Sequence, residues 1–204
     1  YILVFRKGGK RVFKGTGKEL RQKSAYFWEE RNVWFSDLWE IKGISQLMKK
    51  TKASRDRNAS FPFEIPYRLI NMYSAEGDTV LDPFAGLGTT NIASMISNRN
   101  SIGIDIDPEI VKLAIENMDI TTEVANEIID DRIKRHLEFI STLPDDKKAK
   151  CYNNGPHGFR VKTKQETAIE IEQLKCIEKT KTGYICYYEK YNPIKCPEQI
   201  CLSI

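Results

Sequence analysis

Apolar residues fall in short, bounded groups along this chain, and their spacing switches between the two periods of regular secondary structure. The chain opens on Tyr1-Ile2-Leu3-Val4-Phe5, a β-branched and aromatic run that reads as a buried strand. Lys7 to Lys23 is too polar and too rich in glycine for core and reads as a mobile basic loop. Trp28, Trp34 and Trp39 follow closely. They read as packing anchors, with stacking on nucleic-acid bases as the alternative where cations stand nearby.

From Phe61 to Ser74 the apolar residues Ile65, Leu69, Ile70 and Tyr73 recur at helical spacing, and Pro66 is tolerated in a first turn. Glu76-Gly77-Asp78 then makes a turn, and Thr79-Val80-Leu81 is a short buried strand ending at Asp82. A helix is expected over Asn91 to Ser97 and a second strand over Ser101 to Ile106. A second helix follows from Pro108 to Met118, with Ile110, Val111, Ala114 and Ile115 on one side. Strand, helix, strand, helix implies a parallel sheet. Residues 121 to 140 continue the helical pattern, and the last stretch predicts a helix near Lys164 to Glu178 and a strand near Tyr184 to Tyr188.

With 204 residues, 41% hydrophobic and 29% charged, the chain can bury a core and reads as one soluble domain with an appendage. No apolar run reaches the roughly 18 residues of a membrane span, and the start lacks the layout of a secretory signal, so a cytoplasmic location is the default. A first residue of Tyr inside a strand-like run predicts that upstream sequence is missing. Charge is uneven: residues 1 to 60 hold 15 Lys and Arg against 6 Asp and Glu, while the rest holds 17 against 22. The basic end is therefore the candidate for phosphate contact, a solvated surface being the plain alternative. Cys151, Cys176, Cys186, Cys196 and Cys201 all lie in the last third without C-x-x-C spacing, which favours free thiols over a zinc site.

The segment most informative about chemistry is Val80-Leu81-Asp82-Pro83-Phe84-Ala85-Gly86-Leu87-Gly88-Thr89-Thr90, which joins a strand directly to a helix. Two glycines one residue apart let backbone approach a ligand closely. No Lys-Ser/Thr pair follows, which disfavours a nucleoside triphosphate. Asp105, at the end of the next strand, can accept hydrogen bonds from both hydroxyls of a ribose. Asp82 would repel a pyrophosphate and welcome an ammonium, which favours S-adenosylmethionine over a dinucleotide. The plain alternative for Asp82 is a helix N-cap.

Asp82-Pro83-Phe84-x-Gly86-x-Gly88-Thr89-Thr90 resembles motif I of the DNA N4-cytosine and N6-adenine methyltransferases. Phe61-Pro62-x-Glu64-x-Pro66-x-Arg68-Leu69-Ile70 resembles their motif X, and Tyr1 to Lys7 resembles their motif VIII strand. The order VIII, X, I is that of the family's β group, in which catalytic motif IV precedes motif VIII. That motif reads Ser/Asp/Asn-Pro-Pro-Tyr/Phe, and no two prolines adjoin in this sequence. The nearest imitation, Tyr191-Asn192-Pro193-Ile194, lacks the second proline and the aromatic. The resemblance thus implies a methyl-donor pocket without the loop that positions a flipped base, and no catalytic residue is assigned.

By resemblance, Phe61, Asp82, Pro83, Phe84, Gly86, Gly88, Thr89, Thr90, Asp105 and Ile106 bind S-adenosyl-L-methionine, with Asp105 on the ribose and Ile106 on adenine. Plain core roles are the alternative for Phe61 and Ile106. Arg6, Lys7, Lys10, Arg11 and Lys14 are the candidate contacts to double-stranded DNA. The implied fold is α/β: a partial Rossmann-like methyltransferase fold with a predominantly parallel sheet and a small C-terminal α+β extension. Residues 1–60 form a basic segment, 61–150 the cofactor-binding region and 151–204 an extension of unassigned role. The expected function is the cofactor-binding part of a site-specific DNA methyltransferase of a restriction-modification system, inactive alone and completed by an upstream segment or a second chain carrying motif IV. Phe61-Pro62 leans toward N4-cytosine over N6-adenine. A noncatalytic cofactor- or DNA-binding remnant is the alternative, and a dinucleotide oxidoreductase would need glycine at position 91, where Asn91 stands.

Overall fold

The structure is a computed structural model that describes residues 1–41, 61–119, 122–181 and 183–191. Its central unit is the expected strand-helix-strand-helix. Strand β1 (Thr79–Asp82) pairs in parallel with β2 (Asn100–Gly103), with Leu81 opposite Ile102 and Asp82 opposite Gly103. Helix α4 (Thr89–Ile96) crosses between the strands, and α5 (Pro108–Asn117) leaves β2. Asp107 caps α5 by accepting a hydrogen bond from the Glu109 N–H, with Pro108 at the first helical position, where a missing N–H costs nothing.

Upstream lie α1 (Thr16–Lys23), α2 (Trp28–Trp34) and α3 (Glu64–Tyr73), and α3 packs on α4. Downstream, α6 (Thr122–Thr142) runs against α4 and a hairpin, and a short α7 (Asp145–Lys148) follows it. The antiparallel pair β3 (Tyr152–Asn153) and β4 (Arg160–Val161) precedes a 3-10 turn at Lys164–Glu166. The hairpin itself is antiparallel, β5 (Glu172–Lys179) with β6 (Tyr184–Lys190).

One hydrophobic core gathers residues from the whole length, including Phe27, Trp34, Tyr67, Ile92, Ile133, Val161, Ile169 and Leu174. Most polar groups inside it are partnered, as burial favours, the exceptions among the described residues including Glu29 Oε2 and His157 Nδ1. Arg132 on α6 donates from Nε and a terminal nitrogen to Glu30 of α2 at 2.6 and 2.9 Å, and His136 bridges Glu29 and the Arg160 carbonyl at 2.6 and 2.9 Å. The Asn126 amide satisfies both backbone groups of Leu174, at 2.9 Å each, beside a β-bulge between Leu174 and Cys176. Tyr188 and Tyr184 donate their hydroxyls to the carbonyls of Met95 and Ile115, at 2.6 and 2.7 Å, and so pin β6 to the ends of α4 and α5.

Several expectations fail. The strand expected over Ser101 to Ile106 is Asn100–Gly103, which leaves Asp105 and Ile106 in the loop after it, and Thr79 and Leu81 of the supposed buried strand are exposed. Tyr1 to Phe5 is exposed and outside any strand, because no described strand lies beside it to complete its backbone hydrogen bonds. The supposed mobile basic loop contains α1: Lys18 to Lys23 are almost all strong helix formers, and Gly15, at φ 53°, ends the irregular stretch before them. The helix expected near Lys164 to Glu178 is a 3-10 turn followed by strand β5.

The face of the two-stranded sheet away from α4 is bare: Leu81, Ile102 and Ile104 are each more than half exposed. Cys151, Cys176 and Cys186 are free thiols, and Cys196, Cys201 and the Tyr191-Asn192-Pro193-Ile194 imitation beyond Tyr191 lie outside the described residues. Among the described residues no helix is long and apolar enough to cross a membrane.

Candidate functional site

The turn from β1 to α4 is built by two glycines in left-handed conformation, Gly86 at φ 52° and Gly88 at φ 82°, a region that side chains disfavour. They serve different ends. A Cβ on Gly86 would meet only the Phe84 carbonyl, at 4.0 Å, so the turn there faces open space. A Cβ on Gly88 would touch the Ala114 Cβ at 3.4 Å, so this glycine lets the start of α4 lie against α5. Gly88 is the N-cap of α4, closed by its N–H to the Ala85 carbonyl at 2.9 Å.

Asp105 reaches back to this turn. One carboxylate oxygen accepts the Gly86 N–H at 2.9 Å and the other the Asp107 N–H at 3.1 Å. Those backbone donors, Asp107 first and then Gly86, hold its carboxyl below the usual carboxylate range, so it is an ionised acceptor at neutral pH. Each oxygen retains a lone pair for a further donor.

Asp82 is not the helix cap. Its Oδ1 accepts the Phe84 N–H at 3.0 Å and shapes the start of the turn, half-buried beside exposed Pro83. Thr89 is buried and Thr90 half-buried in the first turn of α4, where the Thr90 carbonyl accepts the Ser94 hydroxyl at 2.8 Å. Phe84 and Ile106 project outward, 85% and 100% exposed. Phe61 is exposed ahead of α3. The structure therefore joins Gly86 to Asp105 by a hydrogen bond, with Gly88 closing the same turn onto the Ala85 carbonyl, and leaves Phe84, Ile106 and Phe61 as open surface.

A cavity of about 510 Å³, within the range of small-molecule sites, begins at Gly86 and Asp105. It runs past Gly103 and Ser101 on β2 and ends against Tyr184 and Cys186 of the hairpin. Two of its features were not singled out from sequence. Gly103 is one: a Cβ there would lie 2.6 Å from the Asn91 Oδ1 and 3.0 Å from the Ala85 Cβ, so only glycine lets β2 run this close to α4 and the turn. A lone glycine inside a strand pattern is the signal that could have found it. The hairpin wall is the other, and it depends on contacts between residues about 70 and 93 positions apart in sequence, for which local pattern carries no signal.

In the basic segment, Arg6, Lys7, Lys10 and Lys14 are exposed. Arg11 differs: its two terminal nitrogens bind both oxygens of Asp78, and its guanidinium lies 4.3 Å from the Phe13 ring centroid. This paired arginine is a tie between the N-terminal segment and the turn before β1.

Comparison with known proteins adds the following. A sequence model of a family described as DNA methylase matches residues 1–116. The type II methyltransferase M.MthZI of Methanothermobacter thermautotrophicus is 45% identical over 198 residues, which are 96% of this chain and 54% of that protein. M.MjaI of Methanocaldococcus jannaschii, also a type II methyltransferase, is 52% identical over 120 residues, 59% of this chain and 38% of that protein. Among solved structures, a DNA modification methylase from Thermus thermophilus complexed with S-adenosyl-L-methionine is 33% identical with a TM-score of 0.42, covering 54% of this chain and 38% of that one. The chain spans about half, or less, of the length of these relatives.

Proposed function

The chain belongs to the DNA methylase family, and on that premise we propose that it is the S-adenosylmethionine-holding part of a site-specific DNA methyltransferase acting on an exocyclic amine. The observation that carries the cofactor assignment is the Gly86–Asp105 unit: an ionised, acceptor-only carboxylate locked onto a glycine turn that opens to free space. A ribose diol supplies two donors to such a carboxylate. The start of α4, at Thr89 and Thr90, carries the partial positive charge of a helix N-terminus and suits the cofactor's α-carboxylate. Asp82 at the end of β1 suits its ammonium.

When bound, the cofactor supplies an electrophilic methyl group. The residues of this chain bind and orient it, and the amine is to be held by a Pro-Pro motif carried elsewhere. The bare sheet face at Leu81, Ile102 and Ile104 supports a further part of the enzyme packing there. So does the chain's span of 54% of M.MthZI. Arg6, Lys7, Lys10 and Lys14 are the exposed cations proposed to contact DNA phosphates. The Phe61-Pro62 pair favours N4-cytosine as the target, and a restriction-modification system is the proposed setting.

The test is calorimetric titration of the chain with S-adenosylmethionine, with NAD in parallel. Micromolar affinity for the former alone is expected. Asp105→Ala should weaken that binding at least about tenfold, the loss of roughly 1.4 kcal/mol or more that two hydrogen bonds to a charged group supply, while leaving the fold intact. Unchanged affinity in this variant would refute the ribose assignment. Methyl transfer to DNA by the chain alone would refute its dependence on a second part.

A further inference from the structure

We infer that the ribbon of β3 and β4, with the end of helix α7 that precedes it, is a second DNA surface, which holds phosphates of the duplex without reading its bases. This rests on the DNA reading above and extends it to a stretch that the motifs leave without a role.

From residue 61 onward the chain is acidic, with 17 Lys and Arg against 22 Asp and Glu. Residues 147–164 break that balance. They supply six of the cations, Lys147, Lys148, Lys150, Arg160, Lys162 and Lys164, and none of the acids, so the remainder stands at 11 against 22. Lys147, Lys150, Arg160 and Lys164 are exposed, and Lys148 and Lys162 half-buried. Among the described residues one of the six is in an ion pair, Lys148 with Asp145 at 4.0 Å, and the other five make none. A chain with acids to spare thus leaves these cations unneutralised. Like charges held together repel, so this surface gains by meeting a polyanion.

The fold gathers the cations and fixes them. Tyr152 pairs with Val161 and Asn153 with Arg160, so Lys150 and Lys162, which flank that pairing, leave the same end of the ribbon. The Arg160 guanidinium donates to the Lys148 carbonyl at 2.9 Å, which draws the end of α7 onto β4. Buried Asn154 closes the turn between the strands: its side-chain nitrogen donates to the Glu166 and Ile169 carbonyls at 3.0 and 2.8 Å, and its oxygen accepts the His157 N–H at 2.8 Å. Glu166, the first acid after Lys164, is 2% exposed and its carboxylate is taken up by the Trp28 N–H and by Thr163, so it does not offset the lysines. Tyr152 and Asn153 stand exposed beside the cations as further donors to phosphate oxygens. A frame already rigid loses little freedom on binding. Lysines are point charges on long stems and suit phosphates rather than base edges, so the contact is sequence-independent.

The test is fluorescence anisotropy of a labelled DNA duplex of about 20 base pairs, titrated with the whole chain between about 50 and 200 mM salt. The variant carrying Lys147→Gln, Lys150→Gln, Lys162→Gln and Lys164→Gln should bind at least about tenfold more weakly at about 0.1 M salt. Its log Kd against log salt should be shallower by about 2 or more, the counterions of two or more phosphates. Thermal melts matching wild type check its fold. Glutamine at the exposed Lys112, Lys175, Lys181 and Lys190 removes the same charge elsewhere and should leave the slope unchanged. Equal losses in the two variants would overturn the ribbon as a site, the effect then being one of net charge. A ribbon variant with the wild-type affinity and slope would overturn it too and leave the DNA reading standing on Arg6, Lys7, Lys10 and Lys14. No binding by the wild-type chain at about 50 mM salt would overturn both. Duplex RNA of the same length, run in parallel, tests the choice of DNA, which a loss confined to the RNA would overturn.

Discussion

Gly103→Ala isolates the tightest contact in the site. The residue lies in β2 at negative φ, so alanine brings no backbone strain, and its cost is one of space. The added Cβ would stand 2.6 Å from the Asn91 Oδ1, 3.1 Å from the Asn91 Nδ2 and 3.0 Å from the Ala85 Cβ. Asn91 is buried, and its Nδ2 donates to the Ser101 hydroxyl at 3.0 Å, so it cannot turn aside without stranding a buried amide. Stranding it costs about 1–3 kcal/mol, and pressing on Ala85 adds strain for a total of about 2–4 kcal/mol. At about 2–4 °C per kcal/mol for a chain of this size, Tm should fall by about 4–16 °C. Urea denaturation of Gly103→Ala, Asn91→Ala and the double variant measures it. Removing Asn91 first should relieve the clash, so the double variant should cost about 1–2 kcal/mol less than the two singles added, the signature of a direct contact. Gly86→Ala serves as contrast, since its Cβ meets open space and only the left-handed φ costs about 1–2 kcal/mol. A Gly103→Ala cost below about 0.5 kcal/mol, or strict additivity with Asn91→Ala, would refute the reasoning.

Two further outcomes follow from buried charge. Burial, then the neighbouring Glu172 carboxylate, pushes the Glu76 carboxyl up to about 7; a raised acid stabilises the fold below its unfolded pKa and that contribution is lost as pH rises from about 4.5 to 7, so Glu76→Gln should gain about 1–2 kcal/mol on wild type at pH 8 and nothing at pH 4.5, after discounting for partial exposure. His157, whose pKa burial lowers, titrates in the same window with opposite sign, which is why the difference between the two proteins in urea melts is the quantity to read, and a pH-independent difference would count against the burial argument. Glu30→Ala leaves the Arg132 guanidinium buried without its main partner and should cost about 3–5 kcal/mol by the same melts. Glu64→Ala, which breaks the more exposed Arg68 pair, should cost about 1 kcal/mol or less, and equal costs would mean that burial does not decide the strength of these pairs.

The parts of the molecule legible in sequence are those whose partners are near in sequence. From Glu64 to Asn117, α3, β1, α4, β2 and α5 follow one another with short connections, so the faces that α3, α4 and β1 turn to one another are buried within a few tens of residues and their period survives, the Leu81 and Ile102 face excepted. The glycine turn and Asp105 belong to this stretch, which is why each could be singled out from residue types and order, whereas the hydrogen bond that joins them could not. Reading failed where a distant partner sets the structure. Leu174 and Ile177 both turn inward although they are three residues apart, because the bulge at Leu174/Cys176 shifts the alternation by one. Spacing of three mimics a helix, and only the pairing with Tyr184 to Lys190 and the clamp from Asn126, 48 positions away, make the segment a strand. Tyr1 to Phe5 is the converse: its composition is that of a strand, but composition does not supply the neighbouring backbone that a strand requires. Leu81, Ile102 and Ile104 pose the same demand from the sheet, since apolar side chains on a bare face gain by leaving water. Both surfaces are therefore places where a further polypeptide segment would stabilise the chain, and Ile102, on the bare face, also lines the cavity that begins at Gly86 and Asp105.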